Sequence, residues 1–585
     1  MLDPRIYRAG FLPILFALVL VGFSLHQPPR PLTTSLAPDA FDGAAAFAQL
    51  GALASAAPSR RPGSAGDQRV AARVGAALRA NGFRVDVRTT TAQTADGRRS
   101  LETVVGERAG FSDRRLVVVA HRDALGRGAR AELSGTAALL ELARVLGGRT
   151  LGRTLVLAST SGGTAGLASA QRLAQQLGGG GPADAVLVLG DLAGTRTERP
   201  FVVPWSSTTA IAPLALRRTV EAAVTTETGL RPGGVQPAVQ LARLAFPLTL
   251  GEQGPFDASG SAAVLLSAGG ERPPAAGAAV SQAQLTAFGR AALRSVTALD
   301  GSADLPGSGP YLVLGGKLLP AWPVRLLALA LMLPVLLAAV DAFARVRRRR
   351  ERVGMWLRWL ALGAVPFLLA ALLALALVRT GLVDAAPGAP VAGLAAAPSL
   401  AALAVVLVVL VLAWVWLRPW CARLAGVSGD CANGGGAVAV VLALCAVALA
   451  VWLANPYASL LLVPALHLWL LAMAPEARMR RSLALGFWTL GLLPPLLVAY
   501  AYARQFGLDP LELAWMGTLL VAGGAISPLA VLVWSVALAC AACSLTVVIR
   551  AAGGAVDAAT PITVRGPKTY AGPGSLGGTE SALRR

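Results

Sequence analysis

An α/β sandwich followed by a multi-span α-helical membrane domain is the fold the sequence predicts, and three observations predict it. The chain of 585 residues is 55% hydrophobic and only 14% charged, with a mean hydropathy of +0.61, too apolar for a soluble protein of that length. Long hydrophobic runs are confined to residues 10–25 and to the region beyond residue 323. Between them, short apolar runs alternate with Ala/Leu/Arg stretches of helical period, the pattern of strands that cross over through helices.

Residues 1–30 hold an N-terminal membrane anchor. The run 10–25 follows Arg5 and Arg8, and no small-x-small cleavage signal precedes His26-Gln27-Pro28-Pro29. It reads as an uncleaved signal anchor with a cytoplasmic N-terminus. Because the run is short for a span of ~20 residues, a cleaved signal peptide is the alternative. In both cases residues 31–302 form an exported domain, joined by a linker over 303–323 to a membrane domain of about seven helices over 324–550.

Those helices read as 324–344, 359–378, 399–417, 436–454, 457–474, 483–503 and 529–549. Arg345, Arg347, Arg348, Arg349, Arg350 and Arg352 place the first following loop in the cytoplasm. Arg418 and Arg423, then Arg478, Arg480 and Arg481, fall in alternate loops as the positive-inside rule requires. Residues 511–549 are too long for one helix and are broken by Gly523-Gly524 and Ser527-Pro528. One crossing with an interfacial or re-entrant piece before it gives eight spans and a cytoplasmic C-terminus; two crossings give nine and export the basic tail. Residues 551–585, rich in Gly, Ala, Thr and Pro, read as a disordered basic cytoplasmic tail. The expected location is the cell membrane, multi-pass, with membrane lipid as a partner. The net charge of +21 sits in loops and tail and calls for no nucleic acid.

Cysteine and histidine usage bounds the chemistry. Cys421, Cys431, Cys445, Cys540 and Cys543 all lie in the last third of the chain, so the exported domain has no disulfide, thiol nucleophile or Cys-ligated metal. His26 abuts a hydrophobic segment and His467 lies inside one, which leaves His121 for a soluble site. Nothing resembles Gly-x-Ser-x-Gly, which disfavours a Ser-His-Asp hydrolase built on Ser134, Ser159 or Ser161. In the membrane part, Asp341 beside the Arg cluster reads as an ion pair and His467 as a packing histidine with one interhelical hydrogen bond.

Several segments, in order, carry a resemblance. They are SRRPGSAGDQRVAARVGAALRANGFRVDV from Ser59, RRLVVVAHRDALGRGARAELSGTAALLELARVL from Arg114, RTLVLASTSGGTAGLASAQRLAQQL from Arg153, AVLVLGDLAG from Ala185, and SAAVLLSAGGERPP followed by SQAQLTAFGRAALRSVTALD. Together they resemble the two-zinc exopeptidases of the aminopeptidase and glutamate-carboxypeptidase type, metallopeptidase family twenty-eight, over about residues 45–300. The resemblance implies a zinc-exopeptidase-like sandwich with a mixed central sheet and ligands at the carboxyl ends of its strands. It also implies two zinc ions sharing a carboxylate, with a further Glu as general base.

Residue by residue, the implied site is degenerate. His121 matches the first-metal histidine, Asp123 the carboxylate that orients it, and Asp191 a metal-ligand carboxylate. Ala131 stands where the bridging Asp belongs, and Gly163-Thr164 where the general base and a ligand Glu belong, so the general-base position is Gly163. The second-metal histidine falls in 269–274, which contains none. Without a bridging anion, two dications at ~3.5 Å repel strongly. The domain is therefore expected to be a pseudo-enzyme with no metal and no catalytic residue, His121 and Asp123 forming a buried pair. An alternative keeps one zinc on His121 and Asp191 with Glu132 as a substitute ligand, although neighbours on a tight loop point differently. Glu252-Gln253-Gly254-Pro255-Phe256 resembles the family's Ser-Asp-His-x-Pro-Phe pocket loop, with Gln253 for His.

The whole architecture is similar to endoplasmic-reticulum metallopeptidases with C-terminal spans and to the Gaa-type subunit of the GPI transamidase. By that likeness the exported domain binds a peptide, a lipid-linked substrate or a partner membrane protein. The alternative is an active membrane metallopeptidase with substituted ligands.

Overall fold

The computed structural model describes residues 4–551, apart from 35–37, 95, 164–165, 180, 182, 196–198, 234–235, 303–306, 351, 384–397, 428–433 and 478. Thr164 and, past Ala551, the expected tail lie outside the described residues.

The chain opens with α1 (Pro4–Ala9) and α2 (Leu12–Phe23). Two helices open the domain, α3 (Gly43–Ala56), capped by the Asp42 carboxylate, and α4 (Ala65–Ala80), capped by the Ser64 hydroxyl. Ser64 ends the Arg-Pro-Gly-Ser entry expected at a helix start, where a side-chain oxygen satisfies free N–H groups. Strands β1 (Arg84–Thr94), β2 (Gly97–Arg108) and β3 (Ser112–His121) follow, then α5 (Ser134–Gly147), β4 (Arg153–Thr160), α6 (Ala168–Gly178) and β5 (Ala185–Leu189). The domain continues with β6 (Phe201–Val203), α7 (Leu214–Thr228), α8 (Pro237–Ala245), α9 (Gln253–Ala258), β7 (Ala263–Ser267) and α10 (Gln282–Asp300).

The seven strands form one mixed sheet in the order β1-β2-β4-β3-β5-β7-β6. Its centre, β4, β3, β5 and β7, is parallel, and both flanks are antiparallel. The central strands are buried on both faces, which is why they read as continuous apolar runs. Alternate residues point oppositely: Leu116, Val118 and Ala120 join the core under α3, α4, α5, α7 and α10, whereas Val117 and Val119 join the core shared with α6, α8 and α9. Gly135 lets α5 start directly beneath β5, since a Cβ there would meet the Leu189 carbonyl oxygen at 2.4 Å.

The second core does not stop at the domain boundary. It continues into the membrane helices as one contiguous apolar cluster. Residues 303–323, expected as a linker, contain a hairpin, β8 (Tyr311–Leu314) and β9 (Lys317–Pro320). Its Leu318 bridges His26 and its Val313 exchanges hydrogen bonds with the Gln240 amide of α8. Backbone pairing of this kind leaves no hydropathy pattern, so a Gly/Pro-rich stretch conceals it.

The membrane part comprises α11 (Ala321–Arg348), α12 (Val353–Arg379), α13 (Leu400–Leu412), α14 (Arg418–Leu424), α15 (Gly434–Ala454), α16 (Pro456–Met473), α17 (Arg481–Gly491), α18 (Leu493–Phe506), α19 (Pro510–Ala522) and α20 (Pro528–Ala551). Among the described residues seven helices are long and apolar enough to cross a membrane, or eight if α17 and α18, bent by 44°, count as one. The short α19 packs its Trp515 and Leu519 against Leu377 and Val378 of α12 and Leu403 of α13, beside the ends of those helices nearer the sheet domain. This helix occupies the stretch where an interfacial or re-entrant piece was expected, and it is shorter than the spans around it.

Asp341 pairs with Arg345 one turn on, as its position beside the Arg cluster predicts. His467 makes two hydrogen bonds where one was expected. Its Nε2 donates to the Leu331 carbonyl at 2.8 Å, so Nδ1 is the acceptor for the Tyr7 hydroxyl at 2.6 Å. That contact ties α1 to α16.

Candidate functional site

The carboxyl ends of the parallel strands deliver the predicted residues to one place. His121 is the last residue of β3 and Asp191 follows β5. Glu132 sits in a 3-10 turn, Ala131–Leu133, just before α5. That turn carries the Glu132 side chain inward, contrary to the expectation that it would point away. Its Oε2 lies 2.7 Å from His121 Nε2, with the two side chains 5% and 16% exposed.

This contact decides the electrostatics of the site. Burial alone disfavours the imidazolium, but the hydrogen bond to Glu132 and the nearby charges of Glu252 and Asp123 outweigh it and raise His121 from 6.5 to about 9. Burial likewise pushes the Glu132 carboxyl above its usual range. The hydrogen bond between Nε2 and Oε2 thus favours the protonated imidazole, while burial disfavours charge on both partners. Asp123, the expected partner of His121, receives the Gly163 backbone N–H at 3.0 Å on Oδ1, and adds to the negative field around the imidazole.

A further carboxylate, missed in the sequence, completes the cluster. Glu252, from the loop before α9, is 3% exposed and accepts from Thr160 Oγ1 at 2.6 Å. Its Oε2 has no hydrogen-bond partner among the described residues, and burial pushes its carboxyl up. A Cβ on Gly163 would lie 3.3 Å from the Glu252 Cδ and 2.6 Å from the His121 Cβ. The volume that a side chain at the general-base position would need is already filled by these two residues. The Glu in EQGPF was the only available signal, and it identified a pocket loop without a role.

The remaining predicted positions are committed elsewhere. Asp191 Oδ1 accepts from the backbone N–H of Ala193 at 3.0 Å and Gly194 at 2.8 Å and from Ser134 Oγ at 3.3 Å, so the carboxylate caps its own turn. In the 269–274 segment, Glu271 lines the same pocket, but its carboxylate is taken by other partners. Its oxygens take Arg243 at 2.5 Å, Thr249 Oγ1 at 2.7 Å and the Leu250 N–H at 2.9 Å. Below the site lies a fully buried ion pair, Arg122–Asp67 at 2.8 Å, whose Asp67 also receives Ser161 Oγ. Arg60 donates to the Arg122 carbonyl at 3.0 Å.

Zinc sites need at least three protein ligands with free lone pairs. Among the described residues no group of three or more His, Cys, Asp or Glu is arranged to hold a metal ion, and the one imidazole has its Nε2 tied to Glu132. The donor set does not fit a two-zinc centre. The space between His121, Glu132, Asp191 and Glu252 is a pocket of about 50 Å³, room for a water or two.

Comparison with known proteins places the segment. Residues 103–229 match the family model described as Peptidase family M28, a span that holds His121, Glu132, Gly163 and Asp191 and stops short of Glu252. No curated protein matches the chain. Among solved structures, a zinc aminopeptidase from Bacillus subtilis is similar at 12% identity and a TM-score of 0.35, covering 44% of this chain and 94% of that one. The glutaminyl cyclase of Porphyromonas gingivalis is similar at 17% identity and 0.36, over 44% and 99%. A leucine aminopeptidase precursor from Bacteroides thetaiotaomicron is similar at 14% identity and 0.36, over 45% and 99%.

Proposed function

We propose that this chain is a multi-pass membrane protein whose exported domain is a degenerate member of Peptidase family M28 that binds a substrate or partner without cleaving it. One observation carries the reading: the His121 Nε2 that a first metal would need is engaged by Glu132 at 2.7 Å. The general-base position, Gly163, has no room for a side chain, which points the same way. The run of basic residues after α11 supports an exported domain and a cytoplasmic C-terminus. The partner classes this leaves are a peptide, a lipid-linked substrate or another membrane protein.

A second reading rests on Glu252 Oε2, a buried, unpartnered carboxylate oxygen beside His121. In that reading it replaces the lost base of an active metallopeptidase. Elemental analysis of the purified full chain, with aminopeptidase assays on a peptide panel, separates the two. Sub-stoichiometric zinc and no hydrolysis are expected; stoichiometric zinc with hydrolysis abolished by Glu252→Gln overturns the binding role.

A further inference from the structure

The large cavity among the described residues is not the pocket at the sheet ends. It is an open-sided cavity of about 1490 Å³ between the sheet domain and the membrane helices, more than the ~300–1,000 Å³ of small-molecule sites. Its roof is α6, α9 and the 245–249 segment; its walls are α12, α15, α18, α19 and α20. The two sides of the cavity differ in their lining. The membrane helices contribute mainly apolar groups such as Ala374, Val451, Val498 and Val533, with Tyr502, Thr518 and Ser535 among them, whereas the sheet domain sets Gln171, Gln175, Ser207, Thr249 and Ser259 beside apolar groups such as Phe246 and Leu248. No lining residue carries a charge.

The membrane segments around it are built to leave this space. With 13 residues, α19 reaches only ~20 Å, short of the ~30 Å hydrocarbon core. The non-helical backbone at Ala525 and Ile526, between α19 and α20, faces the same cavity. Irregular backbone is tolerated at membrane depth where it lines a cavity and not where it meets lipid tails.

We propose that this chamber binds a lipid with an uncharged polar head, its acyl chains among the helices and its head under the α6 glutamines. A spanning helix of a partner protein does not fit, because the roof closes the way through: Phe246 stands over Trp534 with ring centroids 5.0 Å apart, and Asn455 donates to the Leu244 carbonyl at 2.7 Å. A phosphate-bearing head does not fit either, since burying that charge without a cation is costly. The buried cation Arg243, whose guanidinium lies over the ring of the lining residue Tyr502, is already paired with Glu271. The inference concerns a different cavity from the sheet-end site and holds whether or not that site hydrolyses anything.

The test uses the full chain in lipid nanodiscs with two photoreactive lipids bearing a diazirine on the acyl chain, a diacylglycerol and a phosphatidylglycerol. The diacylglycerol is expected to label peptides of α12, α15 and α20. Gly517→Trp is expected to lose most of that labelling, because Gly517 lines the chamber and a Cβ there meets no atom within 4 Å. Gly486→Trp, equally open but off the chamber wall, retains it. Ala514→Trp, on the same wall, carries the test if Gly517→Trp melts below wild type. Undiminished labelling in a chamber variant that melts like wild type overturns the proposal. So does equal labelling of the same peptides by phosphatidylglycerol, or a co-purifying membrane protein that crosslinks at position 517.

Discussion

The His121–Glu132 pair makes the pH dependence of stability a direct test of whether the site holds a proton or a metal. His121 rises from 6.5 to about 9 on folding, so the folded chain holds a proton that the unfolded chain releases. A raised histidine contributes stability that is fully present below pH 6.5 and is lost as pH climbs through about 9. At 1.36 kcal/mol per unit the window is worth roughly 3 kcal/mol. The assay is thermal unfolding of the full chain in detergent across that window, wild type against His121→Gln. Buried carboxyls such as Glu252 and Asp191, also pushed up, lose their contribution in the same direction at lower pH, and because the His121 charge holds both down, His121→Gln moves them further up. Wild type is expected to lose its advantage over the variant as pH rises. A wild type that instead gains stability with pH, and loses it on chelation, would refute the reasoning, because a metal on Nε2 competes with the proton.

Chelator treatment at neutral pH is expected to leave the thermal transition unchanged, checked by differential scanning fluorimetry. Gly163→Glu, intended to restore the general base, is expected to destabilise the domain by about 1–3 kcal/mol and to restore no hydrolysis, since its Cβ would overpack the site. Arg243→Ala strands the fully buried Glu271 and removes a hydrogen bond to Gln505; a loss of about 3–5 kcal/mol is expected, with new proteolytic cleavage near α8. For topology, cysteines placed at Gly178 are expected to label with an impermeant reagent in intact cells, on a background without native cysteines, and cysteines at Arg348 and Ser581 are not. Labelling at Ser581 means nine spans, and labelling at Arg348 reverses the orientation.

The elements that carry the site were legible in the sequence because each rests on local pattern. The strand into His121, the helix from Ser134 and the strand before Asp191 are apolar runs and periodic stretches that propensity and alternation specify without tertiary information. The partners of His121 were not legible, because they depend on where loops converge. Glu132 lies one residue past the bridging position, and only the 3-10 turn rotates its side chain onto Nε2. Glu252 arrives from a segment 131 residues away, and no spacing rule connects it to His121. The hairpin over 311–320 and the fusion of the sheet core with the membrane helices were hidden for the same reason.

The 245–252 segment joins the two cavities and gives the arrangement its logic. Leu248 and Thr249 line the chamber, while Leu250, Gly251 and Glu252 line the small pocket, and Glu271 holds the middle of the segment through Thr249 and Leu250. A charged pair buried in the small pocket adds little net stability compared with well-packed apolar groups, but it fixes one conformation of the loops around it. Arg243 extends that rigidity into the membrane by packing its guanidinium over the rings of Tyr502 and Phe506, at 5.2 and 5.1 Å. The segment between the two cavities is thereby held from both sides, by Glu271 through Thr249 and Leu250 and by Arg243 against the rings of α18, so the roof of the chamber keeps one arrangement.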